Sequence, residues 1–163
     1  MKKHATEIEL TQTRPSKISW ITIGVIGALV IVMGLFFLFI RPLVILLPED
    51  QRYTALTSTQ LRSYSPQLFS WIGMVFRSWG AFSIGLGLSI TGIAGFAYRQ
   101  GEAWAQWLLL LIGLITFGIF LTINIILGSD FKLLIGVLLV VYMSALFHGR
   151  KFGVEKHLGE VEL

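Results

Sequence analysis

Four long apolar stretches, separated by short polar ones, make up most of this 163-residue chain. They cover residues 18–47, 68–98, 103–127 and 131–147. Each approaches or exceeds the roughly 20 apolar residues that a helix needs to cross the hydrocarbon core of a bilayer. The stretches are continuous and do not alternate with a period of two, which favours helices over the strands of a membrane barrel. The pattern predicts an all-α, antiparallel four-helix transmembrane bundle.

The segments that flank this pattern are short and polar. Residues 1–17 and 148–163 are predicted to be tails, and residues 18–147 to be the membrane domain. A basic N-terminal tail before an apolar run is also the pattern of a secretory signal, whose apolar region is about 7–15 residues long. Here the run from Ile18 to Ile40 extends over 23 residues before Arg41. We therefore expect the first helix to be retained as an anchor.

Local signals divide the region between the first two apolar stretches. The dipeptide of Arg41 and Pro42 disfavours helical backbone at Arg41, so we expect a break there. Thr57 followed by Gln60 has the pattern of a capping box, which predicts a short helix through Tyr64 in this connection. Pro66 then marks the start of the next helix.

The distribution of Lys and Arg predicts the orientation, because these residues concentrate in cytoplasmic loops. Eight lie in the two tails and in the turn after the second stretch: Lys2, Lys3, Arg14, Lys17, Arg99, Arg150, Lys151 and Lys156. Three lie on the opposite side: Arg52, Arg62 and Lys132. Both termini are therefore predicted to be cytoplasmic. Residues 48–67 and 128–132 are predicted to lie on the outer, extracytoplasmic side of the cytoplasmic membrane.

Composition excludes several classes of function. The chain is 55% apolar and 13% charged, against about 25% charged in soluble domains. Attraction of basic residues to anionic membrane lipid accounts for the net charge of +4, so no nucleic-acid partner is expected. Without cysteine there is no thiolate metal site, and the three histidines lie in tails or at a helix end. We expect no metal, no cofactor and no catalytic residues.

Small residues recur at helical spacing in the second stretch. Ser83, Gly87, Thr91 and Gly95 follow one another every four residues, and a second such series follows beside them: Ala81, Gly85 and Ser89. In lipid, small side chains allow close backbone approach, which provides much of the attraction between helices. The first series is a candidate helix-packing face. Its partner is either another helix of the same bundle, a second copy in a homodimer, or another membrane subunit.

Polar side chains near membrane depth are few, and the predicted topology brings them to the outer side. The candidate outer polar cluster consists of Arg41, Arg77, Asn124 and Asp130. We expect Arg77 to pair with Asp130 or to bond Asn124. Two alternatives stay open, since the arginines can snorkel to lipid phosphates, and the cluster can bind a ligand or an anion.

The turn after the second stretch carries a family resemblance. Arg99, Gly101, Glu102, Trp104 and Ala105 form the pattern Arg-x-Gly-Glu-x-Trp-Ala. This pattern resembles a turn of small, mostly uncharacterised bacterial four-helix membrane proteins with a DoxX-like layout. The resemblance implies a four-helix fold in a bacterial inner membrane, and it implies no activity.

These observations favour an accessory or interaction protein of the membrane, without catalytic activity. The alternative is a small transporter or a lipid- or anion-binding protein that uses an extracytoplasmic polar cleft formed by Arg41, Arg77 and Asn124. An enzyme would need Arg77 and Asp130 as its polar pair, and the sequence offers no general base beside them.

Overall fold

The chain is all-helical in the computed structural model, which describes residues 14–158, with side chains through residue 148. Its α-helices are α1 (Lys17–Leu35), α2 (Pro48–Thr54), α3 (Ser58–Tyr64), α4 (Pro66–Ile93), α5 (Ala103–Ile126) and α6 (Lys132–Leu158). A π-helical turn extends α1 over Phe36–Ile40, and another extends α4 over Ala94–Tyr98. Residues 1–13 and 159–163, which belong to the two predicted tails, lie outside the described residues.

Three helices in the described part are long and apolar enough to cross a membrane. With their π-helical turns they cover Lys17–Ile40, Pro66–Tyr98 and Ala103–Ile126. The apolar part of α6, Lys132–His148, is shorter. Large apolar side chains on all four helices point away from the protein, including Val32, Phe82, Ile115 and Val140. Such a surface is compatible with a membrane protein.

The predicted end of the helix is confirmed, but the expected non-helical backbone at Arg41 is wrong, since Arg41 keeps helical dihedral angles (φ −57°, ψ −37°) and the chain departs after it. The Arg41 N–H donates to Phe36 O at 2.9 Å, which closes the π-helical turn, and the chain then leaves the helix through two tight turns. Pro42 explains the break, because its ring has no N–H to continue the helix. The first apolar stretch is thus a helix through Ile40, followed by an irregular segment, residues 41–47.

The connection between α1 and α4 contains one predicted helix and one that the pattern missed. The Thr57 N–H donates to Gln60 Oε1 at 2.8 Å, and the Gln60 N–H donates to Thr57 Oγ1 at 3.2 Å, so the capping box is confirmed. α2 was not predicted. It starts at Pro48, and Asp50 Oδ2 accepts the Leu47 N–H at 2.9 Å at its first turn.

The four long helices pack as two pairs that meet through α1 and α6. α1 lies along α4, and α6 contacts both α5 and α1. α5 contacts the π-helical turn at Ala94–Tyr98 more than it contacts α4 itself. The tight turn between these helices requires Gly101, whose φ of 93° is in the left-handed region. We call this end of the molecule the turn end, and the end formed by residues 41–65 and 127–131 the loop end.

Candidate helix-docking face and loop-end cluster

The backbones of α1 and α4 are in direct contact through glycines. A Cβ added at Gly80 would lie 2.5 Å from Leu38 N, and one at Gly87 would lie 2.6 Å from Gly27 O. A Cβ at Gly34 on α1 would lie 2.8 Å from Gly80 O. Real Cβ atoms do not come this close to backbone, so these positions exclude any larger residue. This is the close approach that small residues allow between membrane helices.

Buried small residues recur every seven residues along α4, and two of them, Gly80 and Gly87, make the close contact with the α1 backbone, whereas Gly73 faces Pro42 and Ile45 of the irregular segment. On α4 the buried small residues are Gly73, Gly80 and Gly87, followed by Ala94 in the π-helical turn. A seven-residue repeat keeps one face of a helix turned towards its partner when the two helices wind around each other. A four-residue repeat advances by about 40° at each step and so drifts around the helix.

Because of this drift, the residues of the predicted packing face do not all face the same neighbour. These residues are Ser83, Gly87, Thr91 and Gly95. Gly87 contacts α1, and the Thr91 hydroxyl donates to Gly24 O at 3.3 Å. Ser83 instead donates to Trp79 O at 2.9 Å and lines a cavity beside α5. A Cβ at Gly95 would meet no atom within 4 Å. Two of the four residues therefore pack inside the molecule, against α1.

The second small-residue series lies on the opposite side of α4 and is exposed. It consists of Ala81, Gly85 and Ser89, continued by the half-buried Gly92, and we call it the outward face. Gly85 and Ser89 are each two residues from Gly87, which places them about 200° around the helix from α1. A Cβ added at Gly85 or Gly92 would meet no atom within 4 Å.

At the loop end, Arg41 is buried and makes hydrogen bonds to its own segment and to α2. One guanidinium nitrogen, Nη1, donates to Val44 O at 2.6 Å and also to Ile45 O at 2.5 Å. The other, Nη2, donates to the carboxylate of Asp50. The guanidinium carbon lies 4.3 Å from the ring centroid of Phe76 on α4. Arg41 thus fixes the irregular segment and α2 against α4.

The neighbouring acid, Glu49, has a different environment. It is buried, with 6% of its surface exposed. The structure gives its carboxylate no hydrogen bond or ion pair to any described residue. Asp50, which is less buried, is therefore the acid that compensates the charge of Arg41.

The predicted partners of Arg77 are wrong. Asp130 accepts from Arg52 Nη2, at 3.1 Å to each carboxylate oxygen, and this pair is exposed. Asn124 donates to Phe120 O of its own helix at 2.8 Å. Arg77 is exposed and has no hydrogen bond or ion pair to any described residue. The competing partner, Arg52, stands on α2, the helix that the sequence pattern did not show.

A cavity of about 290 Å³ lies between α4 and α5, away from the turn end. Residues of α1 also line it. Five aromatic side chains line it: Phe37, Trp79, Phe82, Phe117 and Phe120. The rings of Phe37 and Trp79 lie 5.4 Å apart between centroids. None of the four residues of the predicted outer cluster lines this cavity. This cavity therefore does not join Arg41, Arg77 and Asn124.

The described residues contain no group of three or more His, Asp or Glu side chains that could hold a metal ion. What the geometry offers instead is surfaces for packing: the outward face of α4 and the exposed grooves between helices. Comparison of the chain with protein-family models, with curated proteins and with solved structures found no match. The similarity of residues 98–105 to the DoxX-like turn stays a prediction.

Proposed function

We propose that the chain forms an antiparallel four-helix bundle in a bacterial cytoplasmic membrane, with α6 as the fourth span and both termini in the cytoplasm. α6 supports this because its apolar part packs beside α5 and α1, so it belongs to the same layer of helices. The excess of Lys and Arg near the turn end and in the tails supports the orientation.

Within this membrane the protein acts as an accessory or interaction subunit without catalytic activity. The observation that carries the proposal is the outward face of α4, where Gly85 and Gly92 have open space above them. On the other side of the same helix, Gly80 and Gly87 receive α1. A second transmembrane helix can approach the outward face in the same way, and the simplest source of that helix is a second copy of this chain.

A transporter or anion-binding protein that uses the predicted outer polar cluster has less support. The donors of Arg41 are taken up by two backbone carbonyls and Asp50, which leaves few donors for an anion. Asp130 is likewise paired with Arg52.

Native mass spectrometry of the protein, extracted gently from its own membrane, tests the interaction proposal. We expect a dimer or a stable complex with another membrane subunit. Gly85→Leu fills the outward face and is expected to reduce the complex at least tenfold. Gly136→Leu, at a lipid-facing position on α6, is the matched control and is expected to leave the complex intact. A wild-type protein that is monomeric and free of partners, or a complex unchanged by Gly85→Leu, would refute the proposal.

A further inference from the structure

An apolar groove runs along the outer surface of α5 and α6 from the loop end. Its volume is about 480 Å³. The walls include Leu121 and Ile125 from α5, with Val137 and Val141 from α6. Val137 is 60% exposed, so the groove is open towards the surroundings of the protein and is not an internal cavity. Apart from Lys132 at its mouth, every lining residue is apolar.

Gly136 gives the groove its depth. A Cβ at this position would lie 3.9 Å from Leu121 Cδ1, which is an ordinary van der Waals contact, and no closer neighbour is present. The fold therefore does not require glycine here, unlike at Gly80 or Gly87. A larger side chain at Gly136 would fill the groove and leave the contact between α5 and α6 intact.

Lys132 supplies one positive charge at the mouth of the groove. Its side chain is exposed, and the structure gives the ammonium group no acceptor among the described residues. The nearest acid in sequence, Asp130, is paired with Arg52. Lys132 is also the first residue of α6, where the partial positive charge of the helix end has the same sign. An anion at this position would be attracted by both charges.

We propose that this groove binds one phospholipid, with its phosphate at Lys132 and an acyl chain along α5 and α6. The charge of Lys132 and the apolar walls match the two parts of such a lipid. From Lys132 to Val141 the groove follows nine residues of helix, or about 14 Å, which accommodates an extended part of an acyl chain. The site goes beyond the proposed interaction face, because it is on different helices, and it requires only that these helices lie in lipid.

Electron spin resonance of the full chain in phosphatidylcholine vesicles, with spin-labelled phosphatidylglycerol as the probe, tests the site. Lys132→Gln and Gly136→Leu are each expected to reduce at least threefold the motionally restricted phosphatidylglycerol that exceeds ordinary boundary lipid. Arg62→Gln, which removes another exposed cation of the loop end, is the control and is expected to retain the restricted lipid.

Three outcomes would overturn the proposal. One is restricted lipid that is equal in all variants, since this would describe ordinary boundary lipid. Another is restriction of a spin-labelled fatty acid but not of phosphatidylglycerol, since this would exclude the phosphate. The third is loss of a dimer in native mass spectrometry on Gly136→Leu, since this would make the groove an interface between copies. Lys132→Gln changes an exposed side chain, so its result does not depend on whether Gly136→Leu folds.

Discussion

Two arginines at the loop end make ion pairs of different kinds. Arg41 is 5% exposed, and its charge is compensated by Asp50. Arg52 pairs with Asp130 at the surface, where 55% and 71% of the two side chains are exposed. Breaking a buried pair leaves an uncompensated charge in a medium of low dielectric constant, whereas an exposed pair contributes little.

Asp50→Asn is therefore expected to lower the free energy of unfolding by about 2–3 kcal/mol, because Arg41 keeps its two carbonyl acceptors but loses its counter-charge. Arg52→Gln is expected to cost under about 1 kcal/mol. Denaturation of the purified protein in detergent, followed by circular dichroism, measures both. Glu49→Gln is the matched control, since Glu49 has no bonding partner among the described residues, and it is expected to cost nothing. Equal losses for Asp50→Asn and Glu49→Gln would contradict this account.

Arg77 has no described partner, so its removal is expected to change little within the fold. Arg77→Ala should shift the free energy of unfolding by less than about 0.5 kcal/mol in the same experiment. The guanidinium can extend towards lipid phosphate from its position on α4. A loss above 1 kcal/mol would show that Arg77 has a structural partner in the membrane.

The sequence identified Arg41 and the break beside it, because the Arg-Pro dipeptide acts on the local backbone. The sequence did not identify the ion pairs Arg41–Asp50 and Arg52–Asp130, because both depend on the position of α2. α2 is a seven-residue helix without apolar periodicity, and its start depends on Pro48 and on Asp50, which also binds Arg41. Tertiary contacts of this kind leave no pattern along the chain.

At the scale of the helix, glycine has two distinct uses in α4. Gly80 and Gly87 admit the backbone of α1, while Gly85 and Gly92 face outward. Of the small-residue face that the sequence predicted, Gly87 and Thr91 lie against α1. The sequence favoured a spacing of four, because Ser83, Gly87, Thr91 and Gly95 form the longest such series, whereas the actual contact follows a spacing of seven.

Gly80→Ala is expected to destabilise the protein by about 1–3 kcal/mol, since the new methyl group overlaps the α1 backbone. Gly92→Ala, in open space within one copy of the chain, is expected to stabilise the monomer in detergent by about 0.5–1 kcal/mol, because alanine is the better helix former. Denaturation of the two variants side by side measures the sign of the change in the free energy of unfolding for each. Destabilisation by both variants would mean that Gly92 also contacts a helix.

The contact between α5 and α6 depends on one large side chain. The Tyr142 ring fills the space above Gly113, where a Cβ would lie 2.2 Å from Tyr142 Cε1. Its hydroxyl donates to Leu109 O at 2.8 Å, and its ring lies 5.5 Å from that of Phe117. Aromatic packing and a buried hydrogen bond thus coincide at one position.

Tyr142→Phe removes the hydrogen bond and keeps the ring. We expect a loss of about 1 kcal/mol in the free energy of unfolding. Gly113→Ala is expected to cost more, because the ring itself must move. A larger loss for Tyr142→Phe than for Gly113→Ala would show that the hydroxyl, and not the ring, is the main contribution.

At the scale of the whole molecule, the apolar pattern predicted the helical architecture because burial in lipid imposes it on length and composition alone. The three long apolar helices, the turn at Gly101 and the capping box at Thr57 followed from rules that act on neighbouring residues. The order in which the helices contact one another did not, because it depends on which faces fit together.

The predicted orientation can be measured directly, because the chain contains no cysteine. Thr59→Cys is at an exposed position of the loop end, and Gln100→Cys is at an exposed position of the turn end. With a membrane-impermeant maleimide on intact cells, we expect labelling of the first variant and labelling of the second after permeabilisation. The reverse pattern would place the termini outside.

The pairing of α1 with α4, and of α5 with α6, has a consequence for biosynthesis. The α1–α4 contact is made entirely by residues in the first hundred or so of the chain, and it is the most extensive in the molecule. During translation these two helices can associate before α5 and α6 leave the ribosome, as early-synthesised units generally fold first. The hairpin of α5 and α6, which is synthesised later, then packs through α6 against the α1–α4 pair. Errors of assembly are therefore expected mainly in this second step.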